Sequence, residues 1–282
     1  MGKLRIRALL FLLLFTFAAV PVGKPAARAA PFHADETAVY EVKWKAPVFF
    51  LPSLHAGLMT MQVHKPTMHE GRPALHFSAV AKSDGVFPKL GGIAVDDSFD
   101  SLVSADGFCS LRVVKVQKEG ERKREVVLTF DPERKTTHVL EKDISVTPAR
   151  LLRDESMGLP GCSVDVLSVF YAARRFDLEV GRSFNMVMSD NGSSRIITIT
   201  VEKRENVETD EGKIPALKIR TGSAMGLISS GGTFAVWYSD DELRLPVKFE
   251  AKVNFGRVFG WLKSYSGPDG AKPGLKRQAV AQ

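Results

Sequence analysis

Apolar and polar residues alternate with period two along most of this chain, the mark of half-buried strands. Tyr40, Val42 and Trp44 share one face, with Glu41, Lys43 and Lys45 on the other. Gly57, Met59, Met61 and Val63 repeat the pattern, as do Leu75, Phe77, Ala79 and Ala81. Leu111 to Val116 leads through Lys118-Glu119-Gly120-Glu121 into Val126, Leu128 and Phe130, a hairpin with a charged tip. Ile197, Ile199 and Val201 make a further strand, Thr209 to Lys213 a turn, and Leu217 and Ile219 continue after it. Phe234, Val236 and Tyr238 precede the polar turn Ser239-Asp240-Asp241-Glu242. In the cleanest strand, Val247, Phe249, Ala251, Val253 and Phe255 alternate with Lys248, Glu250, Lys252 and Asn254. One face is dry and the other wet, so a slip of one residue would invert it. Gly256 to Tyr265 reads as a last strand. Strands at this spacing, joined by short turns, argue for an antiparallel meander rather than βαβ units.

Val164 to Arg175 breaks the rhythm and predicts a helix. Ser163 or Asp165 can cap its start, and Arg174 and Arg175 sit at its negative end, where cations are favoured. Val166, Leu167, Phe170, Tyr171, Ala172 and Ala173 leave almost no polar face, so the helix is expected to be buried. The expected fold is mainly β: a large curved antiparallel sheet, half-barrel or clam-like, wrapped around one buried helix.

The N-terminus carries an address. Lys3, Arg5 and Arg7 precede an apolar run from Ala8 to Val20. At about 20 Å of helix this run is too short for a bilayer core of about 30 Å. Small residues follow, with Ala27 and Ala29 at the spacing signal peptidase prefers. Residues 1–29 are read as a secretory signal peptide, residues 30–265 as a single β-rich domain, and residues 266–282 as a disordered basic tail. No later segment is apolar enough to span a membrane, and no Cys near the cleavage region offers a lipid anchor. The expected product is an exported protein of a Gram-negative periplasm.

The net charge of +7 does not survive this division. Five cations and no acid lie in the signal region, and the stretch after Leu262 holds four cations against Asp269. The body is nearly neutral, which argues against nucleic acid as a partner.

Cys109 and Cys162 are the two cysteines. In an oxidising compartment an isolated pair reads as a disulfide, here expected to staple two loops at strand ends beside Asp106-Gly107 and Pro160-Gly161. Free thiols are the alternative. His64 and His69 flank a Pro66 turn without the further ligands a metal site needs. No GxSxG elbow is present, and the Gly226–Gly232 stretch lacks the Lys-Ser/Thr of a phosphate loop. Adjacent acids such as Asp96-Asp97 and Asp240-Asp241 point to opposite faces of a strand, so they do not converge on one substrate. No catalytic residue, metal or cofactor is assigned. Phe49, Phe50 and Leu51, between Pro47 and Pro52, and Leu227 and Ile228 in a glycine-rich loop, are apolar residues in expected loops. They either fold back onto the core or guard a hydrophobic site.

Several weak motifs occur in a recognisable order: Tyr40-Glu41-Val42-Lys43-Trp44, Asp96-Asp97-Ser98-Phe99, Asp165 to Tyr171, Leu178-Glu179-Val180-Gly181, and Val236 to Val247 with its Ser-Asp-Asp and Leu-Pro. Over roughly residues 36–265 the chain resembles the bacterial exported family called domain of unknown function 3108. The resemblance implies an envelope location and transfers no activity or catalytic residue. The expected function is binding or carrying a lipid, acyl chain or envelope polymer on the concave face of the sheet. The alternatives are an interaction protein of the envelope, docking another protein without a small ligand, and an envelope hydrolase.

Overall fold

The computed structural model describes residues 32–47, 50, 52–85, 94–221, 234–253, 256–267 and 270–274. In chain order the elements are β1 (Thr37–Lys45), β2 (Leu54–Val63), β3 (Thr67–His69), β4 (Arg72–Ser83), β5 (Asp96–Ser104), β6 (Ser110–Glu119), β7 (Arg122–Asp131), β8 (Thr136–Asp143) and β9 (Arg150–Gly158). After them come α1 (Ser168–Arg174), β10 (Ser183–Asp190), β11 (Ser193–Thr209), β12 (Gly212–Thr221), β13 (Phe234–Ser239), β14 (Pro246–Val253) and β15 (Gly256–Ser266). Among the described residues all fifteen strands form one antiparallel sheet. Its order runs from β10 through β15 in sequence, then β1, β2, β4 and on to β9, with the short β3 beside β4. The first strand thus joins the two halves, pairing with β15 on one side and β2 on the other.

The sheet is not closed into a barrel, and β9 and β10 are its terminal strands. It curves around α1, as the alternation implied. Tyr171 of α1 stacks on Phe77 of β4 at 4.0 Å, and Phe170 meets Phe234 of β13 edge-on at 5.6 Å. The inward residues of β1, β2, β4 and β10–β15 join α1 in one core, while Val113, Val126, Leu128, Phe130, Val139 and Leu159 form a second core under β6–β8.

The helix is shorter than its apolar run. Val164 forms a parallel bridge with Met188 of β10, so its backbone is extended rather than helical. Asp165 then caps the first turn, as its position suggested. Its Oδ1 accepts the Leu167 and Ser168 amides at 2.9 and 3.0 Å. Its Oδ2 accepts the hydroxyls of Ser101 and Ser110 at 2.6 Å and that of Ser168. Five donors satisfy this buried carboxylate and fix where the helix begins.

The seam between the two ends of the sheet is latched in two places. The Ser110 amide donates to the Ser163 carbonyl, and Val164 exchanges bonds with Val187 and Ser189 of β10. Farther along β10, the buried Lys115 of β6 pairs with Asp190 and donates to Asn191 Oδ1 at 2.8 Å, while Arg153 of β9 donates to the Asn191 carbonyl at 2.9 Å. Gly192 at this hairpin tip has φ +80°, and a Cβ there would collide with Met157 and Val139. Only glycine allows the tip to lie so close against β8 and β9.

Cys109 and Cys162 form a disulfide that ties the start of β6 to the segment leading into α1. Of the stretch read as a tail, residues 270–274 lie against the body: Pro273 is buried and Gly274 donates to Asp241. Residues 1–29 and 275–282 are outside the described residues. No helix of the described residues is long and apolar enough to cross a membrane.

The disulfide removes loop entropy from the unfolded chain. Replacing both cysteines by alanine is expected to lower the unfolding free energy by at most about 4 kcal/mol. Urea unfolding of the oxidised and alanine forms measures this, and equal midpoints would refute it.

Candidate functional site

The C-terminal end of α1 carries two consecutive arginines with opposite fates. Arg174 is fully buried and its two terminal nitrogens grip both oxygens of Glu36, which is also buried. Its Nε donates to the Leu243 carbonyl at 3.0 Å. Burial lowers the guanidinium pKa, but the Glu36 carboxylate more than offsets this and holds it above its ordinary value. Tyr40 and Tyr238 line the same interior and spend their hydroxyls on the Pro246 and Phe170 carbonyls. Arg174 stands at the helix's C-terminal end as expected, and the acid that holds it in the interior lies 138 residues away in sequence.

With Arg174 turned inward, Arg175 faces the other way. Its guanidinium lies over the Phe108 ring, 4.7 Å from the centroid, and is only half-exposed. Burial lowers its pKa with no acid to compensate. It sits in a groove of about 550 Å³, at the place where β10 faces the β5–β6 turn across the seam. Phe108, Phe176, Met186 and Ile196 supply apolar walls, and Cys162 puts the disulfide in the lining. Ile196 is 70% exposed at the edge of this groove. Ser163, the other candidate cap, is also in the lining. Its buried hydroxyl has no hydrogen-bond partner among the described residues.

Among the described residues, α1 covers part of the concave face. Between α1 and β10–β13 remains a cavity of about 40 Å³, lined almost wholly by apolar side chains such as Val169, Ile199 and Val236. That is room for about one water-sized group, not for an acyl chain. The helix expected to part-fill the concave face is there, and the cavity left beside it is too small for an acyl chain.

Of the apolar loop residues, Phe50 is described and 81% exposed. Phe49, Leu51, Leu227 and Ile228 lie outside the described residues. The acid pairs do diverge. Asp96 reaches Lys118 Nζ at 3.3 Å on the exposed side, whereas Asp97 is buried and accepts the Lys118 amide at 2.8 Å. Asp240 pairs with Arg204, and Asp241 caps the turn through the Leu243 and Arg244 amides.

A histidine cluster missed by sequence spacing occupies the outward face of β4 and β5. His64 Nε2 lies 2.7 Å from Ser78 Oγ, and His76 Nε2 lies 2.7 Å from Asp100. The two rings stack at 4.2 Å. Burial and the neighbouring His76 lower the His64 pKa. This is not a hydrolytic triad, because the carboxylate orients His76 rather than the histidine next to the serine. Among the described residues no group of three or more metal-ligating side chains is placed to hold an ion.

A family profile described as protein of unknown function, DUF3108, matches residues 39–262. The chain belongs to this family. A search of curated proteins finds no match. Among solved structures, a β-barrel-like DUF1849 protein from Brucella abortus is 12% identical, with a TM-score of 0.53 over 86% of this chain and 99% of that one. This likeness shows the fold. A protein described as exported, with a YmcC-like fold, from Bacteroides fragilis is 8% identical (TM-score 0.35, 85% and 99% covered). One described as a lipoprotein, from Parabacteroides distasonis, is 11% identical (TM-score 0.32, 85% and 99% covered). The DUF3108 match and the open, barrel-like sheet agree with the resemblance carried by the strand motifs.

Two outcomes follow from these charges. Removing one partner of the buried pair, by Arg174→Met or Glu36→Met, is expected to cost about 3–5 kcal/mol in urea unfolding, with the double Met replacement losing less than the sum. Burial pushes the Asp97 pKa up to about 6. The folded state then binds more protons than the unfolded state between about pH 4 and 6, so Asp97 favours folding below that window and loses this contribution as pH rises through it. Asp97→Asn is expected to stabilise the protein by about 1–2 kcal/mol at pH 8 and by almost nothing at pH 4. A gain of equal size at both pH values would rule this out.

Proposed function

We propose that this DUF3108 protein is an exported, non-enzymatic binding protein of the Gram-negative envelope, and that it holds an amphipathic ligand in the seam groove. The observation that carries this reading is the groove itself. Its volume of about 550 Å³ falls in the range of small-molecule sites, and apolar walls with a few polar groups are what such sites use. The leader-like residues 1–29 support export. With α1 lying on the concave face, this reading puts the ligand at the gap between the ends of the sheet.

Docking of an envelope protein is the second reading, favoured by β9. This terminal strand pairs with β8 along one edge and exposes Leu151 and Leu152. Such an edge suits addition of a strand from a partner.

Natively purified protein, extracted with organic solvent, is expected to release an amphiphile in near-stoichiometric amount by mass spectrometry. The dye N-phenyl-1-naphthylamine should bind saturably, and Met186→Asp should weaken it about tenfold or more. A clean extract together with no dye binding would leave the β9 edge as the working surface.

A further inference from the structure

We propose that the polar end of the groove is an anion site, and that the ligand is a single-chain amphiphile with a carboxylate or phosphate monoester head. This rests on the reading of the groove as a ligand site. Two donors in the lining, on Arg175 and Ser163, have no acceptor of their own among the described residues. The Arg175 guanidinium lies over the Phe108 ring at 4.7 Å, a contact that takes up none of its N–H groups in a hydrogen bond. Among the described residues no carboxylate pairs with it, in contrast to Arg174 one residue earlier. The Ser163 hydroxyl is 2% exposed and without a partner, so an oxygen entering the groove would satisfy a donor that is otherwise desolvated for nothing.

The acid in the lining is Asp106. It is exposed at the rim, and its Oδ1 already accepts the Gly107 amide at 2.7 Å, which holds its pKa down. The formal charges of Arg175 and Asp106 cancel, but their environments do not. Water screens the rim carboxylate, whereas the half-buried guanidinium acts through a poorer dielectric and attracts an anion more strongly than Asp106 repels it. The chain of the ligand would then run along Phe176 and Met186.

The test is calorimetric titration at pH 7, below micelle concentrations, with dodecanoate, dodecyl phosphate, the uncharged monododecanoyl glycerol and inorganic phosphate. Both anionic amphiphiles should bind at least tenfold more tightly than the uncharged one, and their ratio identifies the preferred head. Arg175→Gln should weaken the anionic probes about tenfold to a hundredfold and leave the uncharged probe within twofold. Ser163→Ala should act in the same direction to a smaller degree, and Arg175→Lys should restore part of the loss. Equal affinity for charged and uncharged chains, unchanged in Arg175→Gln, would overturn the anion site and leave the groove reading standing. No binding of any chain, or inorganic phosphate bound as tightly as the amphiphiles, would overturn both.

Discussion

The buried pair between Arg174 and Glu36 sets the arrangement on which the rest of this molecule depends. A large sheet that does not close must cover its inner face with something, and here a helix of two turns does so. So short a helix has little stability of its own. It is held because each end is tied to distant parts of the chain: Asp165 gathers Ser101 and Ser110 at its start, and Arg174 joins Glu36 and the Leu243 carbonyl at its end. Neither carboxylate would be tolerated in the interior without such partners.

The same ties produce the groove. Because Arg174 is consumed by the interior, the next side chain on the helix is directed to the seam. Because Val164 is stitched to β10, the approach to α1 becomes a wall rather than another helical turn. Stitching and hairpin latch draw the terminal strands together from Asp190 to Val187, and the gap left beyond them is the groove. The groove is thus a consequence of how the sheet fails to close.

Legibility in the sequence varied with burial. Strands with one wet and one dry face, such as β14, declare themselves through alternation. β9 does not, since nearly all of Arg150–Gly158 is exposed and no face demands apolar residues. The helix was legible as an apolar run, but its first residues were counted as helical although their backbone is used in a bridge. The candidate site was almost illegible: Ser163 and Arg175 were visible only as a cap and a terminal cation.

From the sequence alone came the β class, the single buried helix, the pairing of the two cysteines and the resemblance to the DUF3108 family, because these rest on periodicity, on short motifs in order and on there being only two cysteines. Whether a serine caps or stands unpartnered, which of two adjacent arginines is buried, and whether the concave face is empty or filled depend on contacts between residues more than fifty positions apart. Such contacts leave no local period, so only the tertiary structure decided them.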